Sequence, residues 1–128
     1  MQSNADLVRR GYEAFNSGDV ETLTEIIRDD AVLYQPGSTD VSGEYRGREA
    51  VLGFFGKLAG RSGGTFRAEM DELYASDRNA VVVHHATAQN GSRALDTQTV
   101  LVFTLEDGLV TRFDIVQKDQ QAWDAFFA

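Results

Sequence analysis

Apolar residues recur every three or four positions through the first sixty residues and every second position afterwards, which divides the chain into a helical half and a stranded half. Leu7, Gly11, Ala14 and Phe15 fall on one helical face, with Asn4 or Ser3 able to cap its start. Ser17-Gly18 stops that helix, because glycine enters the left-handed conformation at little cost. Asp19 then caps a second, short helix carrying Val20, Leu23, Ile26 and Ile27. Ala31 to Gln35 reads as a strand ended by Pro36-Gly37, and residues 37–47 read as a polar, glycine-bearing loop. A third helix is predicted from about Arg48 to Ala59, with Val51, Phe54, Phe55 and Leu58 as its apolar stripe.

Beyond a short linker at 61–64 the period falls to two. Phe66, Ala68 and Met70 alternate with Arg67, Glu69 and Asp71, and the alternation slips near Glu72-Leu73, the signature of a bulge. Strands of about 79–89 and 92–105 flank Asn90-Gly91, a strong hairpin signal, and Asp107-Gly108 leads into a strand of about 109–117. Ala122, Trp123, Phe126 and Phe127 form a closing amphipathic segment. Helices first and an antiparallel meander second define an α+β class, with helices packed on one face of the sheet.

The two turns also fix an expected register. With Asn90-Gly91 as the loop, His85 pairs with Asp96, Val83 with Gln98 and Val81 with Val100. With Asp107-Gly108 as the second loop, Val100 lies beside Ile115, Gln98 beside Gln117 and Val102 beside Phe113. These residues then share one sheet face, apolar at one end and polar at the other, as a ligand pocket requires. The opposite face carries Val82, His84, Ala86, Leu95, Thr97, Thr99, Leu101, Phe103, Asp114 and Val116, and is expected to be an outer, subunit-contacting face. A one-residue slip in either hairpin would exchange the two.

Length and composition narrow the function classes. The 128 residues predict one domain, 1–128, and 42% apolar with 25% charged residues is ordinary for a globular chain. A net charge of −8 argues against a sequence-independent grip on nucleic acid or an anionic membrane. The lack of cysteine excludes disulfides, thiolate nucleophiles and zinc–cysteine sites. No apolar run approaches the ~18 residues of a membrane span, and the N-terminus carries no signal segment, so a cytoplasmic location is expected. No metal site is expected, since His84 and His85 point to opposite faces of a regular strand.

His85 beside Asp96 is the constellation with catalytic content. A carboxylate stabilises the imidazolium and fixes its tautomer, and the pair can relay a proton. Gln35, Gln98 and Gln117 can donate hydrogen bonds to a developing oxyanion. The competing reading makes His85 and Asp96 a structural cross-strand pair. Tyr12, Phe15, Phe54 and Phe55, together with Val83, Val100, Val102, Phe113 and Ile115, are the expected apolar walls of the pocket.

The run from Val8 to Phe55 and the ending "VLVFTLEDGLVTRFDIVQKD" resemble a SnoaL-like or ketosteroid-isomerase-like domain of the nuclear transport factor 2-like superfamily. The resemblance rests on Phe15-Asn16-Ser17-Gly18-Asp19, Asp30-Ala31, Gly47-Arg48-Glu49-Ala50-Val51 and Glu106-Asp107-Gly108-Leu109-Val110, which are caps and turns rather than chemistry. It implies a cone-shaped, curved antiparallel sheet wrapped around a helix in the order α-α-β-α-β-β-β-β, with a pocket inside, homodimers through the outer sheet face, and no cofactor. The steroid-isomerase residues do not carry over: Gln35 stands where the general-base Asp is expected, Gly11 where the Tyr is, and Val100 where the second acid is. The Asp–Arg–Asp trio of the epoxide-hydrolase members also fails, because Arg93, Arg112 and Asp114 fall on the other face. SnoaL-type polyketide cyclases resemble the chain better, with Asp96 and His85 in their acid/base roles.

Two readings follow. One is a pocket for a small apolar molecule in which a cofactor-free isomerase or cyclase acts on a carbonyl compound of polyketide type. The other is a non-catalytic ligand-binding or dimerisation module of the same fold.

Overall fold

The structure is a computed structural model describing residues 3–128. Met1 and Gln2, which open the N-terminal stretch read above, lie outside the described residues. The elements run α1 (Asn4–Ser17), α2 (Val20–Ile26), β1 (Ile27–Gln35), β2 (Gly43–Arg46), α3 (Arg48–Arg61), β3 (Arg67–Ala75), β4 (Asn79–Asn90), β5 (Arg93–Glu106), β6 (Leu109–Gln117) and α4 (Gln120–Phe126). The expected helix and strand order is present with two additions. β2 forms inside the stretch read as loop, and the closing apolar segment is a helix. β1 begins four residues before Ala31, because Ile27 already takes extended backbone where α2 ends.

Local chemistry explains the helix ends. The Ser3 hydroxyl accepts from the Asp6 N–H, and the Gly18 N–H at φ 73 donates back to the Ala14 and Phe15 carbonyls. Asp19 accepts from the Thr22 N–H to start α2. Asn4 is itself helical, and its amide donates to the carbonyls of Ser76 and Asp77.

The six strands lie in the order β2-β1-β6-β5-β4-β3 in a curved, mixed sheet. Every neighbouring pair is antiparallel except β1 and β6, which run parallel. The inner face packs against the helices. It holds Ala80, Val82, His84, Ala86 and Ala88 of β4 and Leu95, Thr97, Thr99, Leu101, Phe103 and Leu105 of β5, all buried.

The hairpins decide which face is which, and here the structure corrects the sequence reading. Asn90 pairs with Arg93, so the first loop is Gly91-Ser92, with Gly91 at φ 61 in its leading position. That suits a primed turn, which needs a positive φ there. Pairing slips by two residues: His85 opposes Gln98, Thr87 opposes Asp96, and Val83 opposes Val100. A slip of two keeps every side chain on its face. The second turn is as expected, with Asp107 at φ 51 and Gly108 at φ 74, and Glu106 pairs with Leu109. One residue later the register breaks. Leu105 pairs with Val110 but Thr104 pairs with Arg112, which leaves Thr111 as an extra residue in β6.

This bulge rotates the rest of β6 by one face. Thr99 comes opposite Gln117, Leu101 opposite Ile115, and Phe103 opposite Phe113. Phe113, Ile115 and Gln117 therefore join the face of His84 and Thr99. His85, Asp96, Val83, Gln98, Val100 and Val102 stay together on the other side, which is the outer one. The face expected to meet a neighbouring subunit, from Val82 to Phe103, is instead the buried inner wall, while Asp114 and Val116 lie outside.

Candidate functional site

A cavity of about 90 Å³ lies between the inner sheet face and the helices. α1 contributes Leu7, Val8, Gly11, Tyr12 and Phe15, and α3 contributes Phe54, Phe55 and Leu58. The sheet contributes His84, Thr99, Leu101, Phe103, Phe113, Ile115, Gln117 and Gln35, and Trp123 of α4 completes the wall. Edge-to-face pairs such as Phe15 on Phe55 and Phe103 on Phe113 hold the aromatic walls in place. Arg61 and Arg93 donate to the carbonyls of Phe127 and Phe126 and fasten the end of α4 beside it.

Among the described residues no lysine, arginine, aspartate or glutamate lines this space. Its polar groups are five uncharged side chains lying along one belt, together with the indole N–H of Trp123. His84, Thr99 and Gln117 are cross-strand neighbours on β4, β5 and β6, Gln35 follows on β1, and Tyr12 reaches in from α1. The Tyr12 hydroxyl and His84 Nδ1 share a hydrogen bond of 2.7 Å. Their rings meet edge-on at 5.5 Å between centroids. At the other end, the Thr99 hydroxyl donates to Gln117 Oε1 at 2.7 Å, and Gln117 Nε2 donates to Gln35 Oε1 at 3.1 Å.

Burial sets the charge state of the first pair. His84 is 6% exposed, and loss of hydration pushes its imidazole down to about 4, against a weaker opposing pull from Asp71. Burial pushes the Tyr12 hydroxyl up, so it stays protonated. Near neutral pH the dyad is therefore an uncharged imidazole beside an uncharged phenol. An uncharged imidazole presents one donor and one acceptor nitrogen. When Nδ1–H donates to the Tyr12 oxygen, the phenol proton is free for a ligand, and the Nε2 lone pair is a free base.

The predicted catalytic pair lies elsewhere. His85 Nε2 and Asp96 Oδ1 are 2.7 Å apart, but on the outer face, with side chains 41% and 73% exposed. Asp71, at 3.4 Å from Nδ1, and then Asp96 raise the His85 pKa. Gln98 donates to Asp71 and accepts from Lys118, so it too belongs to this outer cluster. Val83, Val100 and Val102 are outer residues and do not line the cavity. Among the described residues no group of His, Asp and Glu is arranged to hold a metal. No helix among them is long and apolar enough to cross a membrane.

His84 and Thr99 went unassigned as site residues because the inner face was read as the outer one. A signal was available. In β5 the even positions carry Asp96, Gln98 and Glu106, whereas the odd ones carry Leu95, Leu101, Phe103 and Leu105. That asymmetry marks the odd positions, Thr99 among them, as inward.

A curved α+β sheet closed by helices over an apolar cavity, with its few polar groups in one belt, defines a small-ligand pocket fold. The SnoaL-like domain model matches residues 8–113, and the chain belongs to that family. Bal32a, from a soil-derived mobile gene cassette, is 40% identical with a TM-score of 0.95, covering 98% of this chain and 96% of that one. A cystatin-like-fold protein of unknown function from Xanthomonas campestris is 29% identical with a TM-score of 0.92, covering 99% of each chain. An uncharacterised Mycobacterium tuberculosis protein is 28% identical over 98% of this chain and 97% of its own length.

Proposed function

We propose that the chain binds a small, neutral, apolar carbonyl compound in its cone and moves a proton next to the carbonyl, using Tyr12 and His84 and no cofactor. The observation that carries this reading is the Tyr12–His84 hydrogen bond at the wall of an otherwise hydrocarbon cavity. His84 Nε2 takes the proton from the carbon α to the carbonyl. The C–H electron pair becomes the enolate, whose oxygen accepts from the Tyr12 hydroxyl, and the imidazolium returns its proton to the same or a neighbouring carbon. An imidazole held near 4 is a modest base, but it stays unprotonated near neutral pH. A dry wall also strengthens its attraction to the enolate. An engineered cavity of ~150 Å³ accepts benzene, so a space of about 90 Å³ favours a compact substrate. A polyketide-type ligand requires the cone to open.

The test uses α-proton exchange of cyclopentanone in D2O, followed by NMR. The wild type is expected to accelerate exchange. His84→Gln removes the acceleration, and Tyr12→Phe lowers it by roughly 10²-fold, the range of one positioned acid or base. Asp96→Asn leaves it unchanged, since Asp96 lies outside. No acceleration, or acceleration indifferent to His84, overturns the catalytic reading. Saturable ketone binding without exchange then supports the binding-module reading instead.

We further propose that two copies meet through the outer face, where Val81, Val83, Val100 and Val102 form an apolar strip across β4 and β5 that continues to the exposed Val116 of β6. Hydrocarbon of this extent on an uncovered sheet face is unusual for a monomer.

A further inference from the structure

The hydrogen-bond chain along the belt has a direction. Thr99 donates to Gln117, Gln117 donates to Gln35 through Nε2, and Gln35 uses its oxygen as the acceptor. Both amide oxygens are thus engaged inside the protein. What remains at the end of the chain is the Gln35 Nε2 amide, a pair of donors with no partner among the described residues, on a side chain only 1% exposed that lines the cavity. A buried amide with idle donors is costly unless something accepts from it. A second idle donor stands in the same wall. Trp123 Nε1, fully buried, also makes no hydrogen bond among the described residues.

We propose that Gln35 is the specificity-determining anchor of the cavity, held donor-first by Thr99 and Gln117 as positioning residues, so that it selects a ligand oxygen bearing no proton: a ketone, aldehyde or lactone rather than an alcohol or an acid. The proposal rests on the reading of the cone as a pocket for a carbonyl compound, and it adds a second oxygen-holding wall, at the opposite end of the belt from Tyr12, and how the protein chooses the oxygen held there. An alcohol oxygen also accepts from Gln35, but the amide oxygens beside it are already bonded, and the free acceptor of the belt, His84 Nε2, lies three strands away, roughly 14 Å. A carboxylate would enter a site with no cation in its lining. Reversing the chain would make the same two bonds but leave Gln35 Oε1 free, and the preference would invert. The Thr99 proton favours the observed direction: it is used by Gln117 here, whereas in the reversed chain the hydroxyl would accept from Gln117 and its own proton would have no acceptor among the described residues.

The test compares cyclopentanone with cyclopentanol, near-isosteric probes, by NMR titration of the Gln35 side-chain amide, which is assigned from its disappearance in Gln35→Leu. In the wild type the ketone is expected to bind about tenfold or more tightly than the alcohol and to shift the amide resonance, as the alcohol's own O–H buried without an acceptor implies. Gln35→Leu abolishes the preference. Thr99→Val brings it close to parity, and Thr99→Ser, which keeps the hydroxyl, restores it; a role in stability alone would not follow the hydroxyl in this way. Equal or inverted selectivity in the wild type, no saturable ketone binding, or an unaltered ratio in Thr99→Val overturns the proposal. The ratio is read from binding, so failed α-proton exchange with selectivity intact removes only the catalytic reading. Exchange without selectivity removes only this one.

Discussion

Two adjacent histidines in β4 live in opposite environments, and their titrations diverge accordingly. His84 is buried with Tyr12 and pushed down to about 4, while His85 lies between Asp71 and Asp96 and is raised above its ordinary value. The chain has only these two histidines, so histidine NMR resolves both: one set of shifts is expected to move near pH 4 and the other above pH 6.5. Stability follows with opposite signs. Below 6.5 the unfolded chain takes up a proton at residue 84 that the folded one refuses, so acidification to pH 4 costs about 3 kcal/mol through His84. His85 contributes its stabilisation in full below 6.5 and loses it as pH rises through its raised folded value. Denaturant midpoints measured from pH 8 to pH 4 are therefore expected to fall in the acid half, and His84→Gln is expected to flatten that limb.

Among the strands, one extra residue decides the composition of the pocket. The second hairpin turn was legible in the sequence because Asp107 and Gly108 both take positive φ, whereas the first was placed one residue early, since Asn90 stays in the strand and the loop is Gly91-Ser92. Helix starts and stops were legible through Ser3, Gly18 and Asp19. The Thr111 bulge was not legible, because neither Val110 nor Thr111 violates strand propensity and the cost of the bulge is settled only by packing across the sheet. The inner and outer faces were hard to separate since both are rich in valine and threonine. Tyr12, Phe15, Gln35, Phe54, Phe55, Phe113, Ile115 and Gln117 line the cavity, whereas His85 and Asp96 do not. Deleting Thr111 would let Arg112 follow Val110 directly and keep its place opposite Thr104, so Phe113 and Ile115 stay inward and Arg112 and Asp114 outward. The deletion variant is therefore expected to fold and to melt cooperatively, as read by circular dichroism and thermal melting. A chain that fails to fold without Thr111 would mean that the bend of the bulge, and not the pairing it permits, is what the pocket needs.

For the molecule as a whole, the pocket and the proposed association surface occupy opposite sides of one layer of backbone. Val116, 55% exposed, sits on the side away from the cavity. Replacing it with glutamate is expected to raise the dimer dissociation constant by roughly 100-fold or more, because an unpaired charge would be trapped in the contact. Light scattering reads the change, and ketone binding checks that the interior is intact. A wild type that stays monomeric at every concentration tested overturns the pairing. The hollow itself has a mechanical consequence. Unfolding eliminates internal void volume, so pressure acts on this molecule through the space that a ligand would use. A protein with about 90 Å³ left open at its centre is softer under compression than one packed solid. Filling that space with a ketone, or with an inert gas, would harden it.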